Sequence, residues 1–331
     1  MVAPVGPGVV SRKTLVIGAA GMIGRKLVER LSTDAGDGLT LHDVVPFESR
    51  HKTVVSDLSA PGEAEKLIAG RPDLVFHLAA VVSGEAEADF DKGYRVNLDG
   101  TRALFEAIRK VGGDYRPRVV FTSSIAVFGA PFPEAIGDEF LNAPLTSYGT
   151  QKAICELLLS DYSRRGIFDG VGIRLPTICV RPGKPNKAAS GFFSGIIREP
   201  LAGEEALLPV AETVRHWFAS PRAAVGFLIH AAKLDSAKLG TRRNLSMPGV
   251  CATVGEEIEA LRKVAGADAV KLIRRQPDPT IERIVSGWPQ NFDARRALAL
   301  GFHADSSFEE IIRIHLQDEL KKTAPPRQAP A

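Results

Sequence analysis

The chain has 331 residues, 44% of them hydrophobic and 24% charged, which suits one large domain or two that share a core. Its 42 basic and 39 acidic side chains leave a formal charge of +3, too little for a dedicated polyanion-binding surface, so nucleic acid is not an expected partner. Three widely spaced cysteines, Cys155, Cys179 and Cys251, encode neither a zinc site nor a disulfide framework; the expectation is no metal and a reducing, cytoplasmic compartment.

The opening MVAPVGPGVVSR has no basic segment ahead of an apolar run, and nowhere do 18 uncharged apolar residues follow one another, so neither export nor membrane insertion is expected. From about residue 13, short apolar runs alternate with longer amphipathic ones, the pattern of strand and crossover helix in a parallel sheet. KTLVIG, LTLHD, TVVS, LVFHLAA, RVVFTSS and GVGIRL read as strands, each short and apolar enough to be buried on both faces. MIGRKLVERLS, EAEKLIAG, NLDGTRALFEAIRKV and SYGTQKAICELLLSDYSRR carry apolar residues at helical spacing. After Arg174 the rhythm changes: LPTICVRPGKPNKAASGFFSG, dense in Pro, Gly, Ser and Asn, predicts a loop-rich segment laid over the strand ends. VRHWFASPRAAVGFLIHAAKL regains a strand and a helix, and EEIEALRKVAG and SSFEEIIRIHLQDELKK read as surface helices. The expected fold is α/β, a Rossmann-type doubly wound parallel sheet with a smaller, intertwined C-terminal substrate-binding subdomain. The sheet domain spans 11–175, with 211–247 returning to it; the subdomain takes 176–210 and 248–322, and 1–10 and 323–331 are flexible tails.

LVIGAAGMIGRKL places Gly18, Gly21 and Gly24, with Met22 and Ile23 between the last two, at the end of the first strand and the start of the first helix. Glycines allow the tight turn and let backbone N–H groups approach a pyrophosphate held by the positive helix end, so a dinucleotide is the expected ligand. The second strand ends at Asp43, about 20 residues on, where a carboxylate accepts the ribose hydroxyls and repels a 2′-phosphate, favouring NAD over NADP. Arg50 and His51 follow, and a basic group there keeps NADP as the alternative. Asp57 and Leu58 either frame the adenine or form an ordinary strand-end turn.

The Gly-x-x-Gly-x-x-Gly spacing resembles that of the extended short-chain dehydrogenase/reductase family, whose members include epimerases and dehydratases. Five further segments agree with it in order: HLAA at 77–80, NLDGT at 97–101, FTSSIAVFG at 121–129, YGTQK at 148–152 and GIRLP at 172–176. The resemblance implies that Tyr148 is the acid/base, that Lys152 lowers its pKa and grips the nicotinamide ribose, and that Ser124 orients the reacting hydroxyl. Tyr148 and Lys152 stand at i and i+4, on one helix face. An ammonium about 4 Å from the phenol, at an effective dielectric near 20, contributes roughly 4 kcal/mol, or about three pKa units. Asn97 matches the family asparagine of the proton path, and is equally placed to cap a helix ahead of LDGT. Ser123 is a second polar contact, while Leu78, Ala79, Ala80, Pro176 and Thr177 are assigned to the cofactor surface.

Epimerases of this family commonly show Arg-x-Phe-Asn after the sixth strand, where this chain has Arg174, Leu175, Pro176 and Thr177. The continuation through residue 210 resembles the D-erythronate dehydrogenase branch of the family, which implies NAD-dependent oxidation at C2 of a four-carbon sugar acid. A small carboxylate needs a cationic or hydrogen-bonding anchor, and Arg181, Lys184, Asn186, Lys187, Ser190 and Arg215, with Ser83, are the candidates. His216, His303 and His315 read as structural or exposed. A nucleoside-diphosphate-sugar 4-epimerase with tightly held NAD is the alternative. The family resemblance also implies a homodimer formed by the helices carrying TRALFEAIRKV and AICELLLSDYS, with exposed Leu and Phe between them.

Overall fold

The computed structural model describes residues 12–33, 38–183 and 189–320. The first half runs β1 (Thr14–Ile17), α1 (Met22–Leu31), β2 (Leu39–Asp43), β3 (Lys52–Val55), α2 (Glu63–Ile68), β4 (Leu74–His77), α3 (Ser83–Ala88) and α4 (Phe90–Gly93). A π-helical stretch, Tyr94–Asp99, leads into α5 (Gly100–Val111), then β5 (Arg118–Ser124), α6 (Ser147–Arg164) and β6 (Asp169–Leu175). The second half adds β7 (Thr177–Ile178), α7 (Gly191–Leu201), β8 (Ala206–Leu208), β9 (Arg215–Ala219), α8 (Pro221–Lys233), β10 (Asn244–Ser246) and β11 (Val250–Thr253). It closes with α9 (Val254–Ala265), α10 (Ala267–Val270), β12 (Ile273–Arg275), α11 (Pro279–Ser286), α12 (Arg295–Ala299) and α13 (Phe308–His315).

Seven parallel strands form the central sheet in the order β10-β6-β5-β4-β1-β2-β3. The winding reverses between β1 and β4, and in such sheets the crevice beyond the strand ends at that point is the ligand site. Alternation along the strands builds two cores. Val16, Phe76 and Val120 pack on one face with Leu27 and Leu228, and Leu15, Ile17, Val75 and Phe121 pack on the other with Leu104 and Leu159. A third core, of Phe193, Ile197, Phe218, Leu261 and Ile311, holds the smaller part of the molecule together.

Several expectations are corrected. β3 is not buried on both faces: it is the sheet edge, and Lys52, Thr53 and Val55 are exposed. The loop-rich segment contains α7, stabilised because Phe193, Ile196, Ile197 and Pro200 fall at helical spacing and are buried, although Gly191, Gly195 and Pro200 dilute its propensity. α9 and α13 are only half surface, burying Ile258, Leu261, Ile311 and Ile312. Leu104 and Phe105 of α5, expected to be exposed, are fully buried, whereas Leu157 on α6 is 71% exposed. α8 and β10 lie with the central sheet, while β9 pairs with β7 and β11 in a separate three-stranded sheet. No helix among the described residues is long and apolar enough to cross a membrane.

Candidate active site

The glycine turn joins β1 to α1 at the winding reversal. Gly18 has φ +89°, and a Cβ there would stand 2.6 Å from the Ala79 amide nitrogen, so both backbone and packing require glycine. A Cβ on Gly24 would overlap the Gly18 carbonyl. Gly21 differs: its φ is −65°, and the nearest atom to a Cβ would be the Gly18 oxygen at 3.4 Å. The fold therefore does not need a glycine at 21, yet its missing side chain leaves the start of α1 open, without a side-chain cap or an acidic residue in the first turn. That is the cradle a dinucleotide pyrophosphate requires. Asp43 ends β2 beside this turn, its carboxylate accepting from Ala20 N at 2.8 Å and Val45 N at 3.2 Å. Asp57 is engaged by Ser59 and by an ion pair with Arg95, and Leu58 is buried in the core.

Beyond the strand ends lies a cavity of about 750 Å³, lined by Gly21, Ser124, Tyr148, Lys152, Thr177 and Arg181 among others. Leu78, Ala80, Ser83, Pro176 and Ser190 also face it, as do Gly18, Met22, Ile23 and Gly24. Asp43, Asp57, Leu58, Ala79 and Asn97 are outside its lining. Thr146 caps α6 by accepting from Gly149 N at 3.1 Å, and a Cβ on Gly149 would overlap the Ala126 carbonyl. The glycine thus lets the helix press against the turn after β5, which puts Tyr148 and Ser124 together in the cavity wall, with Ser124 acting on the phenol.

Lys152 Nζ donates to the Thr122 carbonyl at 2.9 Å and lies 4.8 Å from the Phe121 ring centre and 5.8 Å from that of Tyr148. Burial pulls its pKa down to about 8, against the influence of Cys155 and Glu156. Burial pushes the Tyr148 phenol above its ordinary value, opposed by the Ser124 hydrogen bond and by Arg181. The Lys152 ammonium is directed at the Thr122 carbonyl, and Arg181 is a further cation whose charge favours the Tyr148 phenolate.

Asn97 is buried inside the π-helical stretch and caps no helix. Its side chain accepts from Val81 N at 2.8 Å and donates to Val81 O at 3.1 Å and to Gln151 Oε1 at 2.7 Å, tying the end of β4 to α6. Ser123, beside Ser124 in the cavity lining, donates its hydroxyl to Glu156 Oε1 at 2.6 Å. Arg215 is exposed and lines a different recess, of about 460 Å³, with Phe132, Glu134 and Gln290. Strand alternation explains this correction: β9 turns Arg215 outward and His216 inward. His216 lines the main cavity, bonded to Thr177 Oγ1 at 2.7 Å and stacked on Phe193, and burial lowers its pKa to about 3, so it is neutral. Glu87, Arg198, Arg283 and Trp288 also line the cavity and carry no motif by which the sequence could have announced them. Lys184, Asn186 and Lys187 lie outside the described residues.

This open-ended α1, the strand-end carboxylate and the Ser, Tyr and Lys cluster at the winding reversal define a dinucleotide-dependent enzyme site. The chain belongs to the NAD dependent epimerase/dehydratase family, whose model matches residues 14–244, and NAD is its cofactor. It is 50% identical to the D-erythronate dehydrogenase of Cupriavidus necator over 92% of this chain and 98% of that protein. The D-erythronate dehydrogenase of Haemophilus influenzae is 42% identical over 93% of this chain and all of that protein. A crystal structure described as the nucleoside-diphosphate-sugar epimerase from Agrobacterium tumefaciens superposes with a TM-score of 0.91 at 64% identity, covering 96% and 98% of the two chains.

Proposed function

We propose that this protein is an NAD-dependent dehydrogenase that oxidises a short polyhydroxy acid at C2, D-erythronate to 2-keto-D-erythronate. The observation that carries the reading is Arg181. Its guanidinium, in the cavity wall, bonds the Ile178 carbonyl at 3.0 Å and the Ser190 hydroxyl at 2.9 Å, and among the described residues no carboxylate pairs with it. Burial lowers its pKa, the mark of a cation short of compensation. A substrate carboxylate would supply that compensation, with the C2 hydroxyl reaching Ser124 and Tyr148. The two D-erythronate dehydrogenases similar to this chain support the same substrate.

The N–H groups of Met22, Ile23 and Gly24 would hold the pyrophosphate, Asp43 the adenosine ribose, and Tyr148 with Lys152 the nicotinamide ribose. Bound NAD supplies the hydride acceptor, C4 of its nicotinamide. Ser124 holds the substrate hydroxyl, and the Tyr148 oxygen takes its proton as the C2 hydrogen departs with its electron pair. Lys152 and Arg181 favour the phenolate that performs this step, against the burial that disfavours it.

The epimerase reading has one observation in its favour, the description of the 64% identical structure. Against it, Thr177 stands where the diphosphate-holding asparagine is expected, and its hydroxyl is engaged by His216. Incubation with NAD and a panel of sugar acids separates the two: D-erythronate should generate NADH, whereas interconversion of UDP-sugars without NADH would replace the dehydrogenase with the epimerase.

We further infer a division into a cofactor-binding part, 12–175 with 211–247, and a substrate-binding part made of the remaining described residues. The protein is taken as a homodimer built on α5 and α6, for which the exposed Leu157 is the support. Three free cysteines fit a cytoplasmic location.

A further inference from the structure

We propose that Glu156 is a positioning residue for the reaction: it fastens the strand end carrying Ser124 to the helix carrying Tyr148 and Lys152, and it balances the charge of Arg174 behind them. This rests on the reading of Ser124, Tyr148 and Lys152 given above. Glu156 is one helical turn beyond Lys152 on α6 and 1% exposed. Its Oε1 accepts from Ser123 Oγ at 2.6 Å and from Arg174 Nε at 2.9 Å. Its Oε2 accepts from Arg174 Nη2 at 2.8 Å and from Asn142 Nδ2 at 3.0 Å. One carboxylate thereby joins β5, β6, the segment before α6 and α6 itself. Ser123 precedes Ser124 at the end of β5, so clamping its side chain fixes the strand end that carries Ser124. A shift of about 1 Å between Ser124 and Tyr148 is enough to impair catalysis severely.

Glu156 also shapes the field at Lys152. Among the described residues, the groups that face the ammonium are His77 from β4, the Phe121 ring and Thr122 carbonyl from β5, and Tyr148, Cys155 and Glu156 from α6. Burial takes His77 down to about 3, which leaves it neutral. Glu156 is thus the carboxylate that helps Lys152 keep its proton against burial. Behind it, Arg174 also meets Asp138 at 3.6 Å and lies over the Phe128 ring. With glutamine at 156, Arg174 would remain charged while the carboxylate was gone, and Lys152 would release its proton at lower pH.

The test is the pH profile of kcat/KM for D-erythronate in Ser123→Ala, Glu156→Gln and the double variant Glu156→Gln with Arg174→Met, with NAD affinity measured by fluorescence titration. Tyr148→Phe is carried in parallel. Ser123→Ala should lose at least about tenfold in kcat at unchanged NAD affinity and keep the alkaline limb in place. Glu156→Gln should move that limb down by about one pH unit, and the double variant should restore it. Wild-type kcat in Ser123→Ala, or a double variant and Glu156→Gln with the same alkaline limb, would overturn the inference. Should Glu156→Gln fail to fold, Ser123→Ala decides alone, since it leaves every charge in place. Full activity in Tyr148→Phe would instead sink the underlying assignment of the site, whatever the other variants show.

Discussion

Tyr148 and Lys152 share a helix face, yet burial acts on them in opposite directions, raising the phenol and lowering the ammonium. Tyr148→Phe should retain the fold and NAD affinity while losing about 100- to 10,000-fold in kcat, because the oxygen alone is removed; half the wild-type turnover would take Tyr148 out of the chemistry. Lys152 gives a prediction in the absence of substrate. Its folded pKa is about 8 and its ordinary value 10.5, so between those pH values the unfolded chain binds a proton that the folded one has released. Stability of the wild type relative to Lys152→Met should therefore rise through that window and stay level below it. Denaturant melts at pH 7, 8, 9 and 10 measure this, and a difference that does not change with pH contradicts the burial account. Arg181→Met should reduce activity on D-erythronate by roughly 10- to 150-fold, the contribution of a charged hydrogen bond, with NAD affinity preserved.

The turn between β1 and α1 separates two reasons for a glycine. Gly18→Ala would force a Cβ against the Ala79 amide at a φ of +89° and should destabilise the fold. Gly21→Ala should melt within about a degree or two of wild type, because no neighbour or backbone angle forbids the methyl group, yet bind NAD more weakly. Thermal melts paired with NAD titrations distinguish them; equal NAD affinity in Gly21→Ala and wild type would remove this turn from the cofactor site. β1 and β2 were legible as short apolar runs, α1 by its helical period and α6 by its length of 18 residues. β10 was not, since three residues, Asn244–Ser246, carry no measurable alternation, and only their pairing with β6 makes them a strand. α7 was hidden by two glycines and a proline, its stability coming from the hydrophobic cluster it enters.

At the scale of the molecule, the glycine turn that lines one end of the cavity was legible, because a strand, a glycine turn and a helix are consecutive there. The end of the cavity proposed to take the substrate is assembled from distant segments, Ser83 on α3, Arg181 after β7, His216 on β9 and Trp288 after α11, and no local pattern connects them. A sequence reading therefore points to Arg215, whereas its neighbour His216 lines the cavity. The assembly state belongs to this scale as well: light scattering should return twice 35.5 kDa at micromolar concentration, and replacing Leu157 by Glu should halve it, because a charge would be buried in the proposed interface. A monomeric wild type would leave Leu157 as an ordinary exposed residue. The central claim is that hydride leaves C2 of a sugar acid and does not return. Supplying D-erythronate deuterated at C2 with NAD, and following the label by mass spectrometry, tests it most directly. The account predicts that deuterium accumulates in NADH together with the 2-keto acid. Deuterium that stays with D-erythronate, while a UDP-sugar deuterated at C4 is epimerised with its label retained and no NADH released, would contradict it.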